Sequence, residues 1–153
     1  MTLPVLATVG YEGSTVQRVV EVLQEARVEV LVDVRAVASS RRPGFSKTKL
    51  AAHLEEGGIE YLHLRGLGTP AEGRAAARAG RHEEMRRIFT GHLAMPDAQA
   101  ELEQLSQLVE TGRRACLLCF ETDYRHCHRA IVAAALSSLV PVEIVHLAPH
   151  RGE

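Results

Sequence analysis

VLVDV, at Val30–Val34, decides the fold. It is nearly continuous in apolar residues and lacks the polar alternation of a strand with one face in water. Such a strand is covered on both faces, which implies helices above and below a mostly parallel sheet. Working backwards, Thr15–Ala26 carries Val16, Val19, Val20 and Leu23 at helical spacing, behind an N-cap read at Ser14. Before it, Val5–Val9 (VLATV) is a short β-branched run that ends at Gly10 and reads as the first strand.

Working forwards, Ala36–Phe45 gathers Ser39, Ser40, Arg41, Arg42, Pro43 and Gly44 and reads as a loop. Ser46 caps a helix to Glu56, stopped by Gly57 and Gly58, and Ile59–Leu64 reads as a third strand. Arg65–Gly80, rich in Gly, Ala and Arg, is given no element. Helices follow near His82–Phe89 and Asp97–Glu110. Ala115–Phe120 (ACLLCF) is a fourth strand, Thr122–His126 a polar loop and Cys127–Leu139 a helix. Val142–Leu147 is the last strand, and the tail PHRGE reads as loose. This alternation predicts an α/β chain folded as one domain over residues 1–153. The expected form is a Rossmann-like three-layer fold, with a mostly parallel sheet and helices on both faces. Strand order is not readable from the pattern.

In open α/β sheets, ligands sit outside the carboxyl ends of the strands. The strand map therefore locates a site. Its residues are Gly10, Tyr11 and Glu12 after the first strand, Asp33 and Arg35 at the second, and His63 and Arg65 at the third. The fourth brings Cys119 and Glu121, then Cys127, His128 and Arg129.

Composition narrows the function. At 153 residues, 46% hydrophobic and 24% charged, the chain can bury a core without disulfides. Three unevenly spaced cysteines form no disulfide framework. The opening residues lack a basic start followed by an apolar run, and no run of about 18 apolar residues exists. A cytoplasmic protein with no membrane partner is expected. The net charge of -1 excludes a global field for nucleic acid. Locally, Arg35 to Arg87 holds eleven Lys and Arg against six Asp and Glu, so a basic surface along a nucleic-acid backbone stays open. With six Phe and Tyr in all, stacking on single strands is not suggested.

Several chemistries compete at the strand ends. Cys116 and Cys119 form C-x-x-C, but residues three apart in a strand face opposite sides, which argues against a redox pair. Cys119 and Arg125 have the C-x5-R spacing of cysteine-dependent phosphatases, and the VDVR strand is similar to that of rhodanese sulfurtransferases. The bulky acidic stretch Phe120–Tyr124 does not suit an anion-binding loop. Cys119, Cys127 and His128, with Glu121 or His126 nearby, offer donors that zinc takes. C-x7-C-H matches no standard site, and no metal is assigned. Cys127, His128 and Arg129 open a helix, where anions and thiolates are favoured. Alternatively, Arg129 pairs with Asp33 or Glu121 to hold two loops. Gly10–Ser14 lacks the lysine of a Walker A loop.

Six segments carry a family resemblance: TVGYEGST at Thr8–Thr15, DVR at Asp33–Arg35, SRRPGFS at Ser40–Ser46, GIEYLHLRGLG at Gly58–Gly68, LLCFE at Leu117–Glu121 and CHRA at Cys127–Ala130. In this order they resemble the family called domain of unknown function 488. The resemblance covers nearly the whole chain and implies an α/β fold and a site, with no particular reaction or cofactor. The chain departs from the family at Ala38, where a proline is usual.

The expected activity is an enzyme acting on a nucleotide-like or phosphate-bearing ligand. Asp33 and Glu121 are its acid–base or orienting groups. Tyr11, Arg35, Ser40, Arg41, Cys119, Cys127, His128 and Arg129 are its ligand-binding residues. Two alternatives remain: a non-catalytic nucleotide or nucleic-acid binding module, and a scaffold whose polar motifs only hold the sheet edge.

Overall fold

The computed structural model describes residues 2–149. Most of the PHRGE tail lies outside them. The elements run β1 Val5–Gly10, α1 Val16–Glu25, β2 Val30–Asp33, α2 Lys47–Glu56, β3 Glu60–His63, α3 Ala71–Arg78, α4 His82–Leu93, α5 Pro96–Glu110, β4 Ala115–Cys119, α6 His128–Ser137 and β5 Glu143–Leu147. Two 3₁₀ turns, Arg65–Leu67 and Tyr124–His126, complete the order.

The strands form one sheet in the order β3-β2-β4-β1-β5, and every neighbouring pair is parallel. The central strands β2, β4 and β1 are buried almost throughout, whereas β3 and β5 at the edges are partly exposed. That is why VLVDV shows no alternation. Side chains of β4 divide between two cores. Ala115, Leu117 and Cys119 pack with Leu102, Leu105, Phe89 and Val132 from α4, α5 and α6. Cys116 and Leu118 pack with Val19, Leu23, Leu50 and Leu54 from α1 and α2. Helices therefore cover both faces, giving the Rossmann-like three-layer arrangement. The two thiols of C-x-x-C face opposite cores.

The connections locate the crevice. Chains leaving β1 and β2 enter α1 and α2 on one face, while the chain leaving β4 enters α6 on the other. The carboxyl end of β4 thus lies between two strands whose exits turn away from its own. This is the position at which open α/β sheets leave room for a ligand.

Several boundaries differ from the sequence reading. Thr15, not Ser14, caps α1: its hydroxyl accepts from the Arg18 amide at 3.1 Å. Ser46 occupies the cap position of α2, but its hydroxyl instead exchanges hydrogen bonds with the Ser40 backbone, 3.1 Å each way. Residues 71–78, given no element, form α3, which buries Gly73 and Ala76. Small residues there let α3 lie close to α4, and they dilute the hydrophobic period that marks a helix in sequence. Cys127 is the N-cap of α6 rather than its first turn. Among the described residues, no helix is long and apolar enough to cross a membrane.

Candidate functional site

Two backbone hydrogen bonds extend the β1–β4 pairing past the strands: Tyr11 donates to the Cys119 carbonyl at 3.1 Å and Glu12 to that of Phe120 at 2.8 Å. Tyr11 stacks on Phe45, with ring centroids 4.2 Å apart, and meets Phe120 edge-on at 5.4 Å. The Glu12 carboxylate accepts from the amide and hydroxyl of Thr122 at 3.2 and 3.1 Å. The loops after β1 and β4 are therefore tied together.

Asp33 and Arg35 form a buried pair, 0% and 6% exposed at the side chain. The guanidinium donates to both carboxylate oxygens, at 2.9 and 2.7 Å, and the Arg35 amide adds a third bond at 3.1 Å. Tyr61 donates its hydroxyl to the same carboxylate at 2.6 Å. Burial, then this bond to Asp33, push the Tyr61 phenol well up. Arg35 also donates to the Tyr11 hydroxyl at 3.2 Å and the Phe45 carbonyl at 2.8 Å. Asp33 is thus saturated with donors, and its carboxylate holds Arg35 in place. His63 fastens the next turn by donating to the Arg35 carbonyl at 2.8 Å.

On the other side of β4, Cys119, Cys127 and His128 converge. Their ligand atoms all lie within 4.8 Å of one another. His128 Nδ1 is 3.6 Å from the Cys119 sulfur and 3.8 Å from that of Cys127. Nε2 is 2.7 Å from the Val34 carbonyl, which only accepts, so Nε2 carries the proton and Nδ1 faces the sulfurs. A C-x7-C-H spacing across a loop and a helix start does not by itself bring these donors together. The 3₁₀ turn Tyr124–His126 removes that difficulty by folding the chain back, so that the N-cap of α6 meets the end of β4.

The electrostatics of the group are strongly perturbed. A hydrogen bond to Cys127, reinforced by burial, pushes the Cys119 thiol up. Burial alone would raise Cys127, but hydrogen bonding from Cys119 and the adjacent His128 carry it well below the usual thiol range. Burial would lower His128, and the Cys127 charge with the Val34 carbonyl more than offsets it, so the imidazole is raised. Glu121 is pushed up to about 7, mainly by burial and then by the charge on Cys127.

Arg129 pairs with neither Asp33 nor Glu121. Fully buried, it donates to the backbone carbonyls of Glu121 and Thr122, the latter at 3.1 Å. It shapes the β4 loop from inside. Gly10 makes room for this packing: a Cβ there would overlap the Glu121 carbonyl, 2.5 Å from its carbon, and lie 3.0 Å from an Arg129 nitrogen. Backbone cannot give way as a flexible side chain can. Gly10→Ala is expected to cost about 1–3 kcal/mol, read by chemical denaturation. A variant as stable as wild type would contradict this packing.

These elements surround a cleft of about 420 Å³. Cys119, Glu121 and His128 line it together with Tyr11, Phe120 and Arg35. Arg74 and Arg78, four apart on α3, line it as well. Ser40 and Arg41 are not among the lining residues, because the Ser40–Ser46 bonds hold that loop elsewhere. Arg125 is also diverted: it makes a two-point pair with Asp123 at 3.0 Å and, through it, holds that carboxyl down at about 2. The sequence reading did not single out Arg74, Arg78 or Tyr61. The i, i+4 spacing of the two arginines was the available signal, once EGRAAAR is read as a helix.

No curated protein and no solved structure matches the chain. A family model described as "Domain of unknown function DUF488" matches residues 15–136, most of the chain. That span includes Asp33, Arg35, Cys119, Glu121, Cys127, His128 and Arg129 and leaves out Tyr11. On this match the chain belongs to the DUF488 family.

Proposed function

We propose that this protein is an enzyme acting on a phosphate-bearing, nucleotide-like ligand in the cleft at the carboxyl ends of the strands. One observation carries the reading: Cys119, His128 and Glu121 line the same cleft as Arg74 and Arg78. Arginine forks match phosphate oxygens. Phe120, 40% exposed beside Tyr11, offers an apolar face for a base. Glu121 is the group that would pass a proton to or from the ligand. Asp33 and Arg35 fix the floor and orient Tyr11. The basic segment gives less support to a nucleic-acid surface, because several of its arginines are tied to other groups, whereas Arg74 keeps N–H donors beyond its one bond to the Thr69 carbonyl at 2.9 Å. Arg42 donates to the Ser14 carbonyl at 2.6 Å, Arg81 pairs with Glu84 at 3.2 Å, and Arg86 donates to the Arg125 carbonyl at 3.2 Å.

The test is a thermal-shift screen with inorganic phosphate, nucleosides, nucleotides and short oligonucleotides. A ligand at about 100 times its dissociation constant adds roughly 2.7 kcal/mol, or about 5–10 °C for a domain this size. Nucleotides are expected to give that rise in the wild type. Arg74→Ala/Arg78→Ala, which changes two exposed or half-buried side chains, is expected to lose most of it. Equal rises in wild type and double variant would remove the arginines from the reading, and no rise with any ligand would favour the scaffold alternative.

A further inference from the structure

We propose that Cys119, Cys127 and His128 form a zinc site whose fourth coordination position opens into the cleft. Zinc binds sulfur at about 2.3 Å and nitrogen at about 2.0–2.1 Å, so tetrahedral coordination separates an S and an N ligand by ~3.5 Å. The two S···N separations here are 3.6 and 3.8 Å. Two edges of such a tetrahedron are thus near their bonded length, and all three donors lie within 4.8 Å of one another.

The imidazole is oriented for the task. Its Nε2–H is spent on the Val34 carbonyl, so Nδ1 is the nitrogen turned to both sulfurs. Histidines that bind metals almost always donate their other ring N–H in this manner. Phe89 meets the His128 ring edge-on at 5.1 Å and holds its plane. Each ligand stands on a fixed element: Cys119 ends β4, Cys127 caps α6 and His128 begins that helix.

The donor set and its charge agree. Two thiolates and one imidazole suit zinc. Zn²⁺ with two thiolates and a neutral imidazole has no net charge, so burial demands no counter-ion. Three protein ligands with one open position are the pattern of catalytic rather than structural zinc. Cys119 and His128 line the cleft, so the open position faces it, and Glu121 lines the same wall. The site stands on the side-chain geometry alone and does not depend on the ligand assigned to the cleft.

The experiment uses the full chain without a histidine tag, reduced, stripped of metal and titrated with Co²⁺ and then Zn²⁺. One saturable Co²⁺ per chain is expected. It should show near-ultraviolet thiolate charge transfer and the intense visible bands of tetrahedral cobalt, both erased by Zn²⁺. Cys116→Ala, on the opposite face, should retain both signals. Cys119→Ser and Cys127→Ser should each weaken Zn²⁺ binding by more than about 100-fold, beyond the range of outer-shell changes. If the serine variants misfold, the wild type still decides. Zn²⁺ should protect Cys119 and Cys127 from alkylation, located by mass spectrometry. Wild-type protein without thiolate charge-transfer bands would overturn the proposal, as would alkylation of both cysteines unaffected by Zn²⁺. Nucleotides are absent throughout, so this result and the cleft's ligand test fail or succeed separately.

Discussion

Asp33→Ala is expected to lower stability by about 3–5 kcal/mol, the usual effect of removing one partner from a buried ion pair. Asp33 is fully buried and accepts from Arg35 through two side-chain bonds and one amide bond, and from Tyr61. Without the carboxylate, the Arg35 guanidinium stays buried with the Tyr11 hydroxyl and the Phe45 carbonyl as its remaining partners. Neither carries a compensating charge. Domains of this kind are stable by about 5–15 kcal/mol, so the loss is a large share of the total. Urea denaturation should show a lower midpoint with an unchanged slope. Asp33→Leu/Arg35→Met should be less destabilised than Asp33→Ala, because it leaves no orphan charge. An Asp33→Ala midpoint within about 1 kcal/mol of wild type would mean that the pair is not the anchor described here.

Glu121→Gln is expected to reduce turnover of the cleft's ligand by about 10²–10⁴-fold, the usual contribution of a positioned proton-transfer group. Glutamine keeps the shape and most hydrogen-bonding capacity of the side chain, and removes the carboxyl proton exchange. The loop itself is held by backbone carbonyls on Arg129 and by Thr122 on Glu12. None of these bonds uses the Glu121 side chain, so the melting temperature should move by less than about 2 °C, under 1 kcal/mol. A variant that melts much lower would make Glu121 a structural residue. Full turnover in a stable variant would remove it from the chemistry.

The sheet was legible because its strands carry their own signal. VLVDV and ACLLCF are too apolar for one-sided strands, and the glycines and prolines between elements punctuate the rest. Helix α3 was not legible, since Ala, Gly and Arg give no apolar stripe. With it went Arg74 and Arg78, the cations that face the cleft. Residues at the carboxyl ends of β1, β2 and β4 followed from the predicted strand ends and the rule for open α/β sheets, and the structure gathers Tyr11, Arg35, Cys119, Glu121 and His128 around one space. Their hydrogen bonds did not follow. Strand order sets which loops touch, and β4 between β1 and β2 cannot be read from local patterns. The saturation of Asp33 by Tyr61 depends on β3 lying beside β2. The convergence of Cys119 with His128 depends on one 3₁₀ turn. The C-x7-C-H spacing looks unpromising only while the chain is imagined extended.

Amide chemical-shift mapping in ¹⁵N-labelled protein, titrated with a nucleoside monophosphate, asks most directly whether the sheet's carboxyl edge is a phosphate-ligand site. Saturable shifts are expected at Tyr11, Glu12, Phe120 and Glu121 and along α3, and they should be lost in Arg74→Ala/Arg78→Ala. Shifts confined to the Arg41–Arg42 loop, or no saturable shift in the wild type, would contradict that assignment.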